Sequence, residues 1–79
     1  MPKTIIYTTP TCIHCRRAKA FFEANKIAYE EKDVAYDEEA AHEMIHKSGQ
    51  MGVPVIDIDG QIVIGFDEEA LRELLLVKT

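Results

Sequence analysis

The sequence has no run of about 18 apolar residues, so nothing in it reads as a membrane-spanning helix. No apolar leader follows Met1-Pro2-Lys3, which runs straight into Thr4-Ile5-Ile6-Tyr7, and a secretory signal is not expected. Basic residues are in the minority, nine Lys and Arg against 14 Asp and Glu, for a net charge of −5. That balance argues against nucleic acid as the main partner, because phosphate binding needs a basic surface. The excess is also too modest for a disordered acidic chain. With 47% hydrophobic and 29% charged residues, the composition is that of an ordinary globular protein. Repeats, linkers and low-complexity tracts are missing. The 79 residues make one domain, 1–79. A domain of this size buries only about 60% of the surface its unfolded chain exposes, which leaves little room for a lid or a sizeable second site. Cysteine is scarce too: Cys12 and Cys15 are the only two, spaced C-x-x-C. The expected compartment is the reducing cytoplasm, where a static disulfide is unusual, so the pair points to redox or metal chemistry.

Lys3 to Thr8 reads as a short buried strand, broken at Thr9-Pro10-Thr11 because Pro10 cannot continue a ladder and Thr11 can cap a helix. Ile13 to Asn25 is helical, with Cys15, Ala18, Phe21, Phe22 and Asn25 on one face and Arg16, Lys19 and Glu23 opposite. Ile27 to Val34 alternates loosely and reads as a second strand. Asp37 caps a helix that has Glu38 and Glu39 in its first turn and ends near Lys47 at Gly49. Its inward face is expected to carry Ala41, Met44, Ile45 and Ser48. Val55-Ile56-Asp57-Ile58 and Gln61-Ile62-Val63-Ile64 flank Asp59-Gly60, a strong hairpin signal. Asp67-Glu68-Glu69 opens a last helix with Ala70, Leu71, Leu74 and Leu75 on its apolar face. The order is βαβαββα, an α/β arrangement whose first βαβ should be a right-handed parallel unit.

Cys12 falls at the junction of strand and helix, where free N–H groups and the helix dipole favour an anion, so its thiolate is expected to be stabilised. Cys15 lies almost one turn deeper, on the apolar face, and should remain nearer an ordinary thiol. The asymmetry suits exchange: Cys12 attacks a substrate disulfide, and Cys15 resolves the mixed disulfide. His14, between them, could tune the thiolate or lie idle in solvent. Arg16 and Arg17 add positive charge. Half a zinc site is disfavoured because there is no second C-x-x-C and structural zinc wants four ligands. A structural disulfide closes too small a loop to contribute much. His42-Glu43-Met44-Ile45-His46 matches H-E-x-x-H, but both histidines fall on the solvent flank, and a hydrolytic zinc site also needs a third ligand and a cleft. No metal is therefore expected at the working site, while the histidine pair could bind zinc or nickel adventitiously.

Three separated segments carry a family likeness. Tyr7-Thr8-Thr9-Pro10-Thr11-Cys12-Ile13-His14-Cys15-Arg16-Arg17-Ala18-Lys19, then Gly52-Val53-Pro54, then Gly65-Phe66-Asp67-Glu68 resemble, in register, the glutaredoxins. The resemblance implies a thioredoxin-like fold, with a four-stranded mixed sheet flanked by three helices, and a cis Val53–Pro54 bond beside the cysteines. It implies a monomeric thiol–disulfide oxidoreductase with no tightly bound cofactor. Its partners would be disulfide-containing proteins, with glutathione or thioredoxin reductase as electron source. Thr11, Val53, Pro54, Gly65, Phe66 and Asp67 would line the substrate or glutathione site. The chain departs from many members in having Ile13-His14 between the cysteines, Thr9 where a lysine often stands, and Gly65-Phe66 in place of Gly-Gly. It shares Gly-Phe with relatives reduced by thioredoxin reductase, some of which serve ribonucleotide reductase. Phe66 is open to two readings, core packing or partner contact. Two other functions belong to the comparison. One is an iron–sulfur cluster bridged between two chains through Cys12 and two glutathiones, although members that do this usually have a single active-site cysteine. The other is a redox-inert docking domain.

Overall fold

The computed structural model describes residues 3–75. The elements run β1 (Thr4–Thr8), α1 (Ile13–Ala24), β2 (Glu30–Asp33), α2 (Glu38–Ser48), β3 (Val55–Ile58), β4 (Gln61–Ile64) and α3 (Glu68–Leu74). The strands form one mixed sheet in the order β2-β1-β3-β4. β1 and β2 are parallel, while β3 is antiparallel to both β1 and β4. The end of β1, the start of β3 and the end of β4 therefore lie at the same end of the sheet.

Strand alternation sorts the core into two layers. Ile6, Ile56, Ile58 and Val63 pack with Ala18, Phe21 and Phe22 of α1 and Leu71 of α3. Ile5, Tyr7 and Val55 face the other way, onto Ala40 and Met44 of α2. β1 is buried along its whole length, Thr4 and Thr8 at its ends included, as befits a central strand covered on both faces. β2, by contrast, is the charged run Glu30-Glu31-Lys32-Asp33 at a sheet edge, where charge discourages further strand pairing.

The second strand is shorter than Ile27 to Val34. Lys26 adopts φ 56°, and the Ile27 amide donates to the Phe22 carbonyl at 2.8 Å, so the chain is still leaving α1 there. Ile27 and Tyr29 contribute to the core from this connection instead. On α2 the inward face is rolled by one position from expectation. Ala40 and Met44 are buried, Ala41 is only half-buried and Ile45 is 37% exposed. The roll brings Glu43 and Lys47 over Tyr7 and Asp57, with which they pair. Asp37 caps α2 through the Ala40 amide, and Gly49 closes it at φ 75°. Asp59 and Gly60 both have positive φ, 52° and 93°, as a two-residue primed turn requires.

Candidate active site at the start of the first helix

Cys12, not Thr11, is the N-cap of α1. Its backbone is extended (φ −87°, ψ 115°), and its Sγ accepts a hydrogen bond from the Cys15 amide at 3.1 Å. The sulfur thus occupies the place a capping oxygen usually takes. Thr11 is exposed and lies one residue too early for that role. The Cys12 amide donates back to the Thr9 carbonyl at 3.3 Å, folding Thr9-Pro10-Thr11 into a turn that presents the half-buried Cys12.

Cys15 is 1% exposed. Burial pushes its thiol up to about 12, and the neighbouring Cys12 sulfur adds to the effect; a backbone contact with Thr9 and the charge of Lys19 act weakly against it. Both cysteines are free thiols. Cys15 is therefore held protonated, and the more accessible Cys12 has an N–H aimed at its sulfur. His14 and Ile13 project outward, with Ile13 60% exposed. Among the described residues the His14 ring takes part in no side-chain hydrogen bond or ion pair.

The Val53–Pro54 bond is cis, Pro54 is buried and Val53 is half-buried against the α2 layer. The Gly65 amide donates to the Pro54 carbonyl at 2.9 Å, so the structure brings these two together. Phe66 is half-buried: its ring meets Phe21 edge-on at 6.0 Å and packs against the α1 layer. The Asp67 carboxylate accepts from the Ala70 amide at 3.2 Å and serves as the cap of α3.

The H-E-x-x-H segment does not build a hydrolytic centre. His42 and His46 are exposed on α2, whereas Glu43 is drawn down to the sheet. There its carboxylate accepts from the Tyr7 hydroxyl and from Lys32 at 3.0 Å, with Lys47 at 3.5 Å. The Tyr7 hydrogen bond, then Lys32, hold Glu43 down at about 2, the wrong side of neutrality for a general base. No group of three or more potential metal ligands occurs among the described residues.

The sequence reading missed the network to which Glu43 belongs. Asp57 is 7% exposed within β3; one carboxylate oxygen takes Lys47 at 2.6 Å and the other the Gly60 amide at 2.8 Å. Lys47 also donates to the Tyr7 oxygen at 2.9 Å. Burial works against the ammonium, but the hydrogen bonds to Asp57 and Tyr7 outweigh it and leave the Lys47 pKa raised. An aspartate inside Val-Ile-Asp-Ile was the available signal. On the α1 side, Thr8 donates to Glu31 at 2.7 Å, which also pairs with Lys19 at 2.9 Å. The Lys19 and Thr8 hydrogen bonds lower the Glu31 pKa.

Residues 4–63 match the family model for glutaredoxin. The chain belongs to the glutaredoxin family. A glutaredoxin-like 8.6 kDa protein in the rubredoxin operon of Clostridium pasteurianum is 40% identical over 70 residues, covering 89% of this chain and 93% of its own length. Glutaredoxin 3 of Escherichia coli strain K12 is 37% identical over 68 residues, covering 86% and 82%. The T8A mutant of the thioredoxin-like protein BC3987 superposes with a TM-score of 0.92 at 36% identity, over 99% of this chain and 100% of the other. The four-stranded mixed sheet with three helices is thus the thioredoxin fold. As a glutaredoxin the chain is a thiol–disulfide oxidoreductase in general character. No helix among the described residues is long and apolar enough to cross a membrane.

Proposed function

We propose that the chain reduces protein disulfides by dithiol exchange through Cys12 and Cys15, as a monomer in the cytoplasm with no tightly bound cofactor. The Cys12 thiolate attacks one sulfur of the substrate disulfide. A Cys12–substrate disulfide forms, and the other substrate sulfur leaves as a thiolate. Cys15 then passes its proton to water or to the substrate thiolate already released, and attacks the Cys12 sulfur. The Cys12–Cys15 disulfide forms, and the second substrate thiolate leaves. The substrate gains two electrons, and the protein disulfide is returned to the dithiol by glutathione or thioredoxin reductase.

The observation that carries this reading is the Cys15 amide directed at the Cys12 sulfur, because an N–H donor at that place favours the sulfur as the attacking anion. Burial of Cys15 supports its role as the second sulfur. The surroundings support a polypeptide partner. Ile13, Met51 (78% exposed), Tyr36 (84%) and Ile64 (50%) all belong to segments at the end of the sheet where β1 delivers Cys12. Acidic groups crowd the start of α3, where Asp67, Glu68 and Glu69 follow one another, which disfavours a glutathione carboxylate there.

The test is trapping. Mixed with a disulfide-bonded protein, Cys15→Ser should accumulate a covalent adduct at Cys12, seen by non-reducing gel and intact mass, while Cys12→Ser should form none. Equal adduct formation at either cysteine would end the proposal. An NADPH-coupled assay with glutathione and its reductase in one cuvette and thioredoxin reductase in another assigns the electron donor.

A further inference from the structure

The histidine pair on α2 is unused by the exchange chemistry and remains open. His42 and His46 stand four residues apart within the unbroken helix Glu38–Ser48, a spacing that puts two side chains on one face a single turn apart. Both are exposed. Among the described residues neither enters an ion pair, although five such pairs form elsewhere. The two rings and Ile45 line one open depression of about 350 Å³. Glu43, the nearest carboxylate in sequence, points the other way and is held by Tyr7 and Lys32, so it neither occupies the imidazoles nor completes a hydrolytic site.

We infer that His42 and His46 form a two-imidazole clip for one divalent transition-metal ion on the outer face of α2. The chemistry of the donors selects the ion. Imidazole suits copper, nickel and zinc, in an order that peaks at Cu²⁺, whereas Mg²⁺ and Ca²⁺ want oxygen. With two protein ligands and no third donor grouped with them among the described residues, water fills the remaining positions. The ion is therefore exchangeable, unlike a closed four-ligand structural zinc. The helix presets the two rings, and an unfolded chain does not, so binding stabilises the fold. The clip lies on the α2 side of the sheet, opposite the layer that packs α1, and acts independently of the cysteines.

The cysteines are themselves metal-binding, so the test removes them. Cys12→Ser/Cys15→Ser protein is titrated with NiSO₄, ZnCl₂ and CuCl₂ by calorimetry and, for Ni²⁺ and Cu²⁺, by broadening of amide resonances. The expected result is one ion per chain, tightest for Cu²⁺, with no response to MgCl₂. Broadening should centre on residues 39–49, and Ni²⁺ or Zn²⁺ should raise the melting temperature. His42→Ala or His46→Ala should each weaken Ni²⁺ binding at least about tenfold, and the double variant should lose both binding and the thermal shift. In the wild-type cysteine background the double variant should keep its disulfide-reductase rate. Unchanged nickel affinity in the double variant, or broadening centred away from α2, would overturn the assignment. Should the serine background fail to fold, the same titration on the wild-type chain with both thiols blocked by N-ethylmaleimide under denaturant and then refolded, or with Cys12 alone blocked in the native state, gives the same comparison.

Discussion

Replacing Glu43 with Gln keeps the shape of the side chain and removes the charge that Tyr7, Lys32 and Lys47 surround. The Tyr7 hydroxyl first, and Lys32 second, bring the folded carboxyl from its ordinary 4.5 to about 2. At about 1.4 kcal/mol per pH unit the full difference corresponds to roughly 3 kcal/mol. The side chain is 39% exposed, however, so solvent screening reduces the expected contribution to roughly 1–1.5 kcal/mol. The folded pKa lies below the unfolded one. The contribution is therefore complete above pH 4.5 and disappears as the pH falls from there through about 2. Urea unfolding of the wild type and Glu43→Gln, followed by circular dichroism, should show the variant weaker by roughly 1–1.5 kcal/mol at pH 6. At pH 2 that gap should shrink to a few tenths of a kcal/mol, because the carboxyl is then about half protonated in the folded wild type and almost wholly protonated in the unfolded chain. A gap of equal size at both pH values would refute the charge argument and leave only packing. No gap at pH 6 would mean that the network does not hold α2 to the sheet.

Asp57→Ala should cost about 2–4 kcal/mol in urea unfolding, since it removes the buried carboxylate that accepts from both Lys47 and the Gly60 amide and leaves Lys47 only Tyr7 and Glu43, while Asp57→Asn should cost less because it retains an oxygen for Gly60; equal losses in the two would show that the turn contact contributes nothing. Gly49→Ala should lower the melting temperature by about 4–8 °C, the effect of about 1 kcal/mol in a domain of this size. The cost there is purely that of φ 75° for an L-residue, since a Cβ would meet no atom within 4 Å, so an unchanged melting temperature would remove Gly49 as a required left-handed cap.

Local chemistry made most of the fold legible in the sequence. Asp37, Gly49, Asp59-Gly60 and Asp67 act through their own backbone or through amides two or three residues away, so reading them needs no tertiary knowledge. The errors lie where distant groups decide. Ile27 and Tyr29 have the composition of a strand, but the α1 exit and the Phe22 ring claim them. Periodicity located the apolar stripe of α2 but not its final roll, which Tyr7 and Asp57 set from two other strands by pairing with Glu43 and Lys47. The two cysteines were legible from their C-x-x-C spacing at a strand-to-helix junction, whereas the cis bond before Pro54 was reached only through the family likeness. Cys12 as its own helix cap was missed, because cysteine is not among the usual capping residues and Thr11 is.

The two sulfurs are differentiated by one turn of helix. Cys12 caps the helix, and its sulfur accepts a hydrogen bond from the Cys15 amide of the turn that follows it. Cys15 points into the α1 side of the sheet, where burial opposes any charge. In the proposed exchange this arrangement has a chemical consequence. A thiolate from a high-pKa thiol is the stronger nucleophile. In the second step Cys15 is therefore the attacking sulfur, Cys12 the sulfur attacked, and the substrate sulfur the one that leaves. Its obstacle is the Cys15 proton. Part of that obstacle is the Cys12 sulfur itself, which raises Cys15 next after burial. Burial, the largest cause, remains after the mixed disulfide has formed, so the Cys15 proton passes to water or to the substrate thiolate released in the first step. The asymmetry of the pair follows from placing the second cysteine three residues after the first on a helix whose opening turn the first one caps.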